Sequence, residues 1–152
     1  MEEKEFITRS ASSVLAHSAR ETEDAGVHFA KNLEVGEIVI LTGELGAGKT
    51  TFIQGVAHAF NIKNRVISPT FVLVRKHRGK IGTQKINLYH IDLYRLESLN
   101  DIKNLGLPDI FEDPYGIFLI EWGEKHEDLR SNWQIKFKIT GAKQRKIEII
   151  KK

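Results

Sequence analysis

Gly43-Glu44-Leu45-Gly46-Ala47-Gly48-Lys49-Thr50 satisfies the pattern G-x-x-x-x-G-K-[ST]. Those residue types at that spacing bind phosphate. The glycines let the backbone curl with its N–H groups turned inward, Lys49 reaches the β- and γ-phosphates, and the Thr50 hydroxyl suits a Mg²⁺ ligand. A bound nucleoside triphosphate also needs its metal held from a second side, by a carboxylate at the end of a buried strand. Glu121 directly follows Ile117-Phe118-Leu119-Ile120, and a parallel strand would deliver it to the sheet edge that carries the loop. Asp92 ends the run Ile86–Ile91 and is the second candidate, either for metal through water or for positioning an attacking water; a turn or cap aspartate is the plainer reading. His90 would point the same way as Asp92 on a strand. One His with one Asp is a weak metal signal, and the other histidines lack ligand spacing, so no transition metal is expected.

The elements around these residues are legible from pattern. Ile38-Val39-Ile40-Leu41 and Ile117–Ile120 are short continuous apolar runs, the mark of buried parallel strands. Phe52, Val56 and Phe60 recur at helical spacing after the loop, so a helix N-terminus adds its dipole and free amides to the anion site. Gly55 inside that helix signals either close backbone packing or a tolerated surface glycine. Ser18-Ala19-Arg20-Glu21 has capping-box spacing and opens a helix carrying Ala25, Phe29, Ala30 and Leu33. Phe71–Val74 reads as a strand running into a basic turn around Gly79, Lys85–Leu93 as another strand, and Ser98–Asn104 as a short helix. Trp133, Ile135, Phe137 and Ile139 alternate with polar residues, and a turn at Gly141-Ala142 leads to Lys146–Ile149. The expected fold is α/β: a P-loop NTPase-like three-layer arrangement with a mixed sheet, parallel inner strands, antiparallel outer ones and a C-terminal antiparallel hairpin.

At 152 residues, 41% of them apolar, the chain is sized for one full core, so 1–152 is read as a single domain. No apolar stretch approaches membrane-spanning length and Met1–Glu5 is too acidic for a secretory signal, which implies a cytoplasmic protein with no membrane partner. Cysteine is absent, which excludes disulfides and thiolate zinc sites. Net charge is only +3, yet Arg75, Lys76, Arg78, Lys80 and Lys85 cluster in one segment and Lys143, Arg145, Lys146, Lys151 and Lys152 in another. Either cluster could face an acidic partner or RNA, or be solvated loop and edge-strand charge.

Taken together, the chain resembles the TsaE family, also called YjeE or YdiB. The matching pieces are Glu21-Thr22, Gly43 to Thr51 with Phe52 and Gly55, Ser68-Pro69-Thr70-Phe71, His90 to Leu96, and Glu121-Trp122-Gly123-Glu124. Ala25 departs from the family's usual Leu before the helix glycine. The resemblance implies an ATPase of bacterial tRNA threonylcarbamoyladenosine biosynthesis, working with TsaD and TsaB and meeting tRNA through that complex. Carried over by position, it implies ATP contacts from Gly43, Glu44, Leu45, Gly46, Ala47, Gly48, Lys49, Thr50, Thr51, Glu124 and Arg145. Mg²⁺ falls to Thr50, Glu121 and Asp92, and catalysis to Lys49, Asp92 and Glu121. Ser68, Pro69, Thr70 and Trp122 are switch-like or partner-coupled. Two other classes stay open on the residues alone: a small-molecule kinase with Arg75–Lys80 as a lid, and a nucleotide-dependent RNA-binding module without hydrolysis. No Asn-Lys-x-Asp segment is present to read guanine, which favours adenine.

Overall fold

The two continuous apolar runs form neighbouring parallel strands at the centre of a seven-stranded sheet. The structure, a computed structural model, describes residues 11–63, 66, 73–96, 101, 104–126 and 129–152. Its elements are β1 (Ala11–Ala16), α1 (Ala19–Ala30), β2 (Ile38–Thr42), α2 (Lys49–Ala59), β3 (Val74–Ile81), β4 (Gln84–Asp92), α3 (Leu107–Ile110), β5 (Gly116–Glu121), a 3₁₀ turn (Gly123–Lys125), β6 (Trp133–Ile139) and β7 (Arg145–Lys151). The strand order is β1-β7-β6-β2-β5-β4-β3. The inner strands β6, β2, β5 and β4 run parallel, and antiparallel pairs flank them on both sides: β6–β7–β1 and β4–β3. The alternating strand β6 was expected to be wholly antiparallel, yet it pairs parallel with β2 on its inner side.

Helix α1 starts where its sequence says. Ser18 is extended and its hydroxyl accepts from the Glu21 amide, while the Glu21 carboxylate reaches back to the His17 amide. Helix α2 follows the loop directly and buries Phe52, Ile53, Val56 and Ala57. The two helices cross with their backbones in contact: a Cβ on Gly55 would sit 2.0 Å from the Glu23 carbonyl oxygen, and one on Gly26 2.1 Å from that of Phe52. Gly55 is therefore a packing residue, which settles the choice its sequence left open.

Each face of the sheet has its own core. Both long helices cover one face, where Phe29, Phe52, Trp133 and Phe137 pack in tilted and edge-on pairs over Val39, Leu41, Leu88 and Leu119. On the other face, among the described residues, the single turn of α3 and the segments beside it place Leu93, Leu107 and Phe111 over Tyr89, Phe118 and Ile120. Every residue of β5 is buried. At about 1.5–3 kcal/mol per large buried apolar side chain, this strand anchors both layers.

The fold adds one strand the sequence did not signal and changes two expectations. Strand β1 lacks a sequence signal because only Ala16 of its six residues is buried, so it is built by backbone pairing with β7 and carries no alternation. The basic segment is not a turn around Gly79; β3 runs through it to Ile81, and the reversal falls at Gly82-Thr83, with Gly82 at φ +61°. A strand hydrogen-bonded along its length cannot close as a lid, which removes the feature that favoured a kinase. Phe71 and Val72, and most of the helix expected over Ser98–Asn104, lie outside the described residues.

Candidate phosphate-binding site

The loop joins the end of β2 to the start of α2, and its shape depends on two glycines. Gly43 sits at φ +152° with Phe137 so close that a Cβ would lie 2.8 Å from the Phe137 carbonyl oxygen. Gly48, at φ +101°, caps α2 in the left-handed region. The curl is held by the Ala47 amide donating to the Glu44 carbonyl, and Phe52 donates to Gly48 as the helix begins. Among the described residues, the amides of Gly46, Gly48, Lys49, Thr50 and Thr51 have no carbonyl partner. They converge at a helix N-terminus, so an anion can satisfy what the fold leaves unpaired. Glu44 and Leu45 form the exposed tip, Ala47 is fully buried beneath it, and Thr50 and Thr51 are half-buried.

Lys49 is buried at 5% exposure. Its ammonium donates to the Gly43 carbonyl at 2.6 Å, lies 3.9 Å from Glu121 Oε1 and sits 4.4 Å from the centre of the Trp122 ring. Glu121 ends β5 in register with Leu41, one residue before the end of β2, and with Asp92, the last residue of β4, so three parallel strands deliver their carboxyl ends to one place. The other Glu121 oxygen is held by His90 Nε2 at 2.6 Å. A carboxylate only accepts, and His90 Nδ1 has no partner, so the imidazole proton belongs on Nε2. Asp92 accepts from the Tyr94 amide at 2.9 Å, closing a tight turn. Burial pushes its pKa up; the Tyr94 amide pulls it back and the Glu121 charge raises it again.

Trp122 has φ +63°, a costly conformation for a bulky residue, and its ring lies against Tyr94 at 4.9 Å. Glu124 lies on the 3₁₀ turn, exposed as a residue but with its carboxyl partly desolvated, which raises its pKa, while the Lys49 charge lowers it. Arg145 reaches the loop from the far side, its Nη2 donating to the Gly46 carbonyl at 3.2 Å and its Nη1 to the Gly141 and Gln144 carbonyls. A cleft of about 550 Å³ adjoins the loop there, lined by Ser18, Arg20, Thr22, Thr51, Lys143 and Arg145.

The fold thus brings Gly43–Thr51, Asp92, Glu121, Trp122, Glu124 and Arg145 to one region, whereas Ser68, Pro69 and Thr70 lie outside the described residues. Sequence reasoning missed His90 as a partner of Glu121, and Arg20 and Lys143 beside the loop. His90 was visible beside Asp92, but its partner is 31 residues away. The arrangement is suited to hold a polyphosphate, with one buried cation and two carboxylates at the reacting end.

The profile of a family described as "Threonylcarbamoyl adenosine biosynthesis protein TsaE" matches residues 16–148. The chain is 38% identical over 111 residues to the tRNA threonylcarbamoyladenosine biosynthesis protein TsaE of Treponema pallidum, spanning 73% of this chain and 78% of that one. It is 40% identical over 114 residues to the protein of the same name from Synechocystis, spanning 72% and 69%. The crystal structure of Bacillus subtilis YdiB superposes with a TM-score of 0.75 at 27% identity, covering 93% of this chain and 85% of that one.

Proposed function

The chain belongs to the TsaE family, which acts in tRNA threonylcarbamoyladenosine biosynthesis, and on that premise we propose that it is a Mg²⁺-dependent ATPase completed by TsaD and TsaB homologues. The observation that carries this reading is the convergence of Lys49, Glu121 and Asp92 on a loop whose amides are unpaired. The Thr50 hydroxyl and the two carboxylates are hard oxygen donors, which fit Mg²⁺. Among the described residues no group of three or more His, Cys, Asp or Glu is placed to hold a metal, so phosphate and water oxygens would complete its shell. A divalent cation there would offset charge on the phosphoryl oxygens during transfer.

The chain's own residues do the remainder. Lys49 exchanges the Gly43 carbonyl for phosphate oxygens, and the loop amides orient them. His90 fixes one Glu121 oxygen and leaves the other directed at Lys49 and the metal position. Asp92, half-buried with one oxygen used by Tyr94, is suited to accept a hydrogen bond from the attacking water. The cleft beside Arg145 takes the nucleoside end. Swapping the two carboxylates for amides separates their roles: Glu121→Gln should weaken Mg²⁺-dependent binding of an ATP analogue more than Asp92→Asn. Mg²⁺ titration at fixed analogue reads this, and a larger metal defect in the Asp92 variant would reverse the assignment.

Transition-state charge on a phosphoryl group is commonly met by an arginine, and such a group contributes about 10³–10⁵ in rate. Arg145 is committed to three carbonyls and Arg95 is exposed beyond β4. The isolated chain should therefore release phosphate slowly and the TsaB–TsaD complex should stimulate it strongly. Phosphate release at saturating ATP across a partner titration tests the reading. A rate fast alone and flat through the titration excludes partner completion, and tRNA binding with no hydrolysis under any condition favours a non-hydrolysing module.

A further inference from the structure

The β3–β4 hairpin projects from the opposite end of β4 to Asp92, and its outward face is strongly basic. Lys76, Arg78 and Lys80 alternate along β3 and are all exposed. Lys85 lies directly across from Lys80 on β4, and Lys63, after α2, lines the same cleft of about 820 Å³. Among the described residues no carboxylate lines that cleft and none of these five cations is in an ion pair. Guarding an edge strand against aggregation accounts for lysines on β3. It does not account for Lys85 or Lys63, which lie off the edge strand, and like charges placed directly across a ladder destabilise it. Lys76 lies over the Tyr89 ring at 6.0 Å and within the field of Asp113, whereas Lys80 and Lys85 face each other across the ladder.

One aromatic residue completes the face. The Tyr115 ring, 54% exposed, is at the cleft wall. Its position is set by Asp113, which accepts from the Tyr115 amide, the Tyr89 hydroxyl and the Asn87 side chain. The nearby acid is thus saturated by hydrogen bonds. Burial alone would raise the Asp113 pKa, but those three donors and the Lys76 charge hold it below the usual carboxylate range; burial and the Asp113 contact push Tyr89 up to about 12.

We propose that this hairpin face binds single-stranded RNA, with Lys76, Arg78, Lys80 and Lys85 on successive phosphates and a base stacked on Tyr115. Cations two residues apart on one strand face recur every ~7 Å, a repeat that suits a single-stranded phosphate backbone. Exposed aromatic rings beside a cationic track bind single strands with little sequence preference. The preceding subsection contributes only the choice of RNA over DNA, from the family's work on tRNA; the surface does not depend on ATP hydrolysis.

Fluorescence anisotropy of the full chain with a labelled single-stranded oligoribonucleotide, across a salt series, tests it. The log–log salt dependence should have a slope of about −3, since each phosphate contact on a single strand contributes about −0.7. Lys76→Glu with Lys80→Glu should weaken binding at least ~10-fold and reduce the slope by about 1.4. Tyr115→Ala should cost about 5- to 100-fold while Tyr115→Phe retains affinity, because stacking needs only the ring. Phosphate release and thermal melting serve as controls and should be unchanged in all variants. Affinity and slope that ignore the charge reversal overturn the proposal. So does competition by polyglutamate as effective as that by RNA, which would assign the face to an acidic polypeptide.

Discussion

Gly55→Ala should destabilise the protein by about 3 kcal/mol, although alanine is the better helix former by about 1 kcal/mol. The added methyl would stand 2.0 Å from the Glu23 carbonyl oxygen and 3.1 Å from the Val27 amide nitrogen, both backbone atoms that no rotamer can move aside. The helices must separate, and α2 carries the phosphate loop on its first turn. For a chain of this size the cost corresponds to a melting point lower by roughly 6–12 °C. His58→Ala, at an exposed site on the same helix, should change little. A Gly55→Ala melting point equal to or above that of the parent would show that the crossing has slack that its geometry denies.

Lys49→Ala should reduce phosphate release more than ~100-fold, the scale on which loss of a preorganised charge donor acts. The parent ammonium is already buried, held by the Gly43 carbonyl and facing Glu121. Its removal relieves one desolvated charge but leaves the buried Glu121 carboxylate without its cation, and breaking a buried pair in this way costs about 3–5 kcal/mol at most, so the melting point should fall while the fold persists at assay temperature. The decisive measurement pairs a melting curve with single-turnover phosphate release. Loss of activity measured well below the variant's melting transition supports the phosphate role; retained activity with unchanged nucleotide affinity sinks it.

The site's centre was readable because its chemistry is local. Eight consecutive residues encode the loop, and continuous apolar runs encode the strands before the loop and before Glu121. The capping box at Ser18 and the hairpin at Gly141 were also local. What could not be read depends on contacts between distant segments. His90 and Glu121 meet through strand register, and Arg145 reaches Gly46 across 99 residues. Gly55 was ambiguous because only the crossing with α1 shows which side of the helix is covered. The basic stretch Arg75–Lys80 looked like a turn because an edge strand with charged outward residues loses most of its apolar signature, and β1 has none to lose.

The pairing of β1 with β7 bears on how the chain comes together during synthesis. Its first described strand has one neighbour in the sheet, and that neighbour is the last strand made, with Ala16 opposite Arg145. At ribosomal speeds of about 5–20 residues per second, β1 waits on the order of ten seconds for its partner. Through that interval the nascent chain can assemble the loop, α2 and the parallel centre, but an exposed strand with unsatisfied amides trails at its leading end. The ribosome-bound intermediate therefore offers a second pairing edge, the side of β1 that β7 fills in the finished sheet, and a neighbouring nascent chain is the partner best placed to take it first.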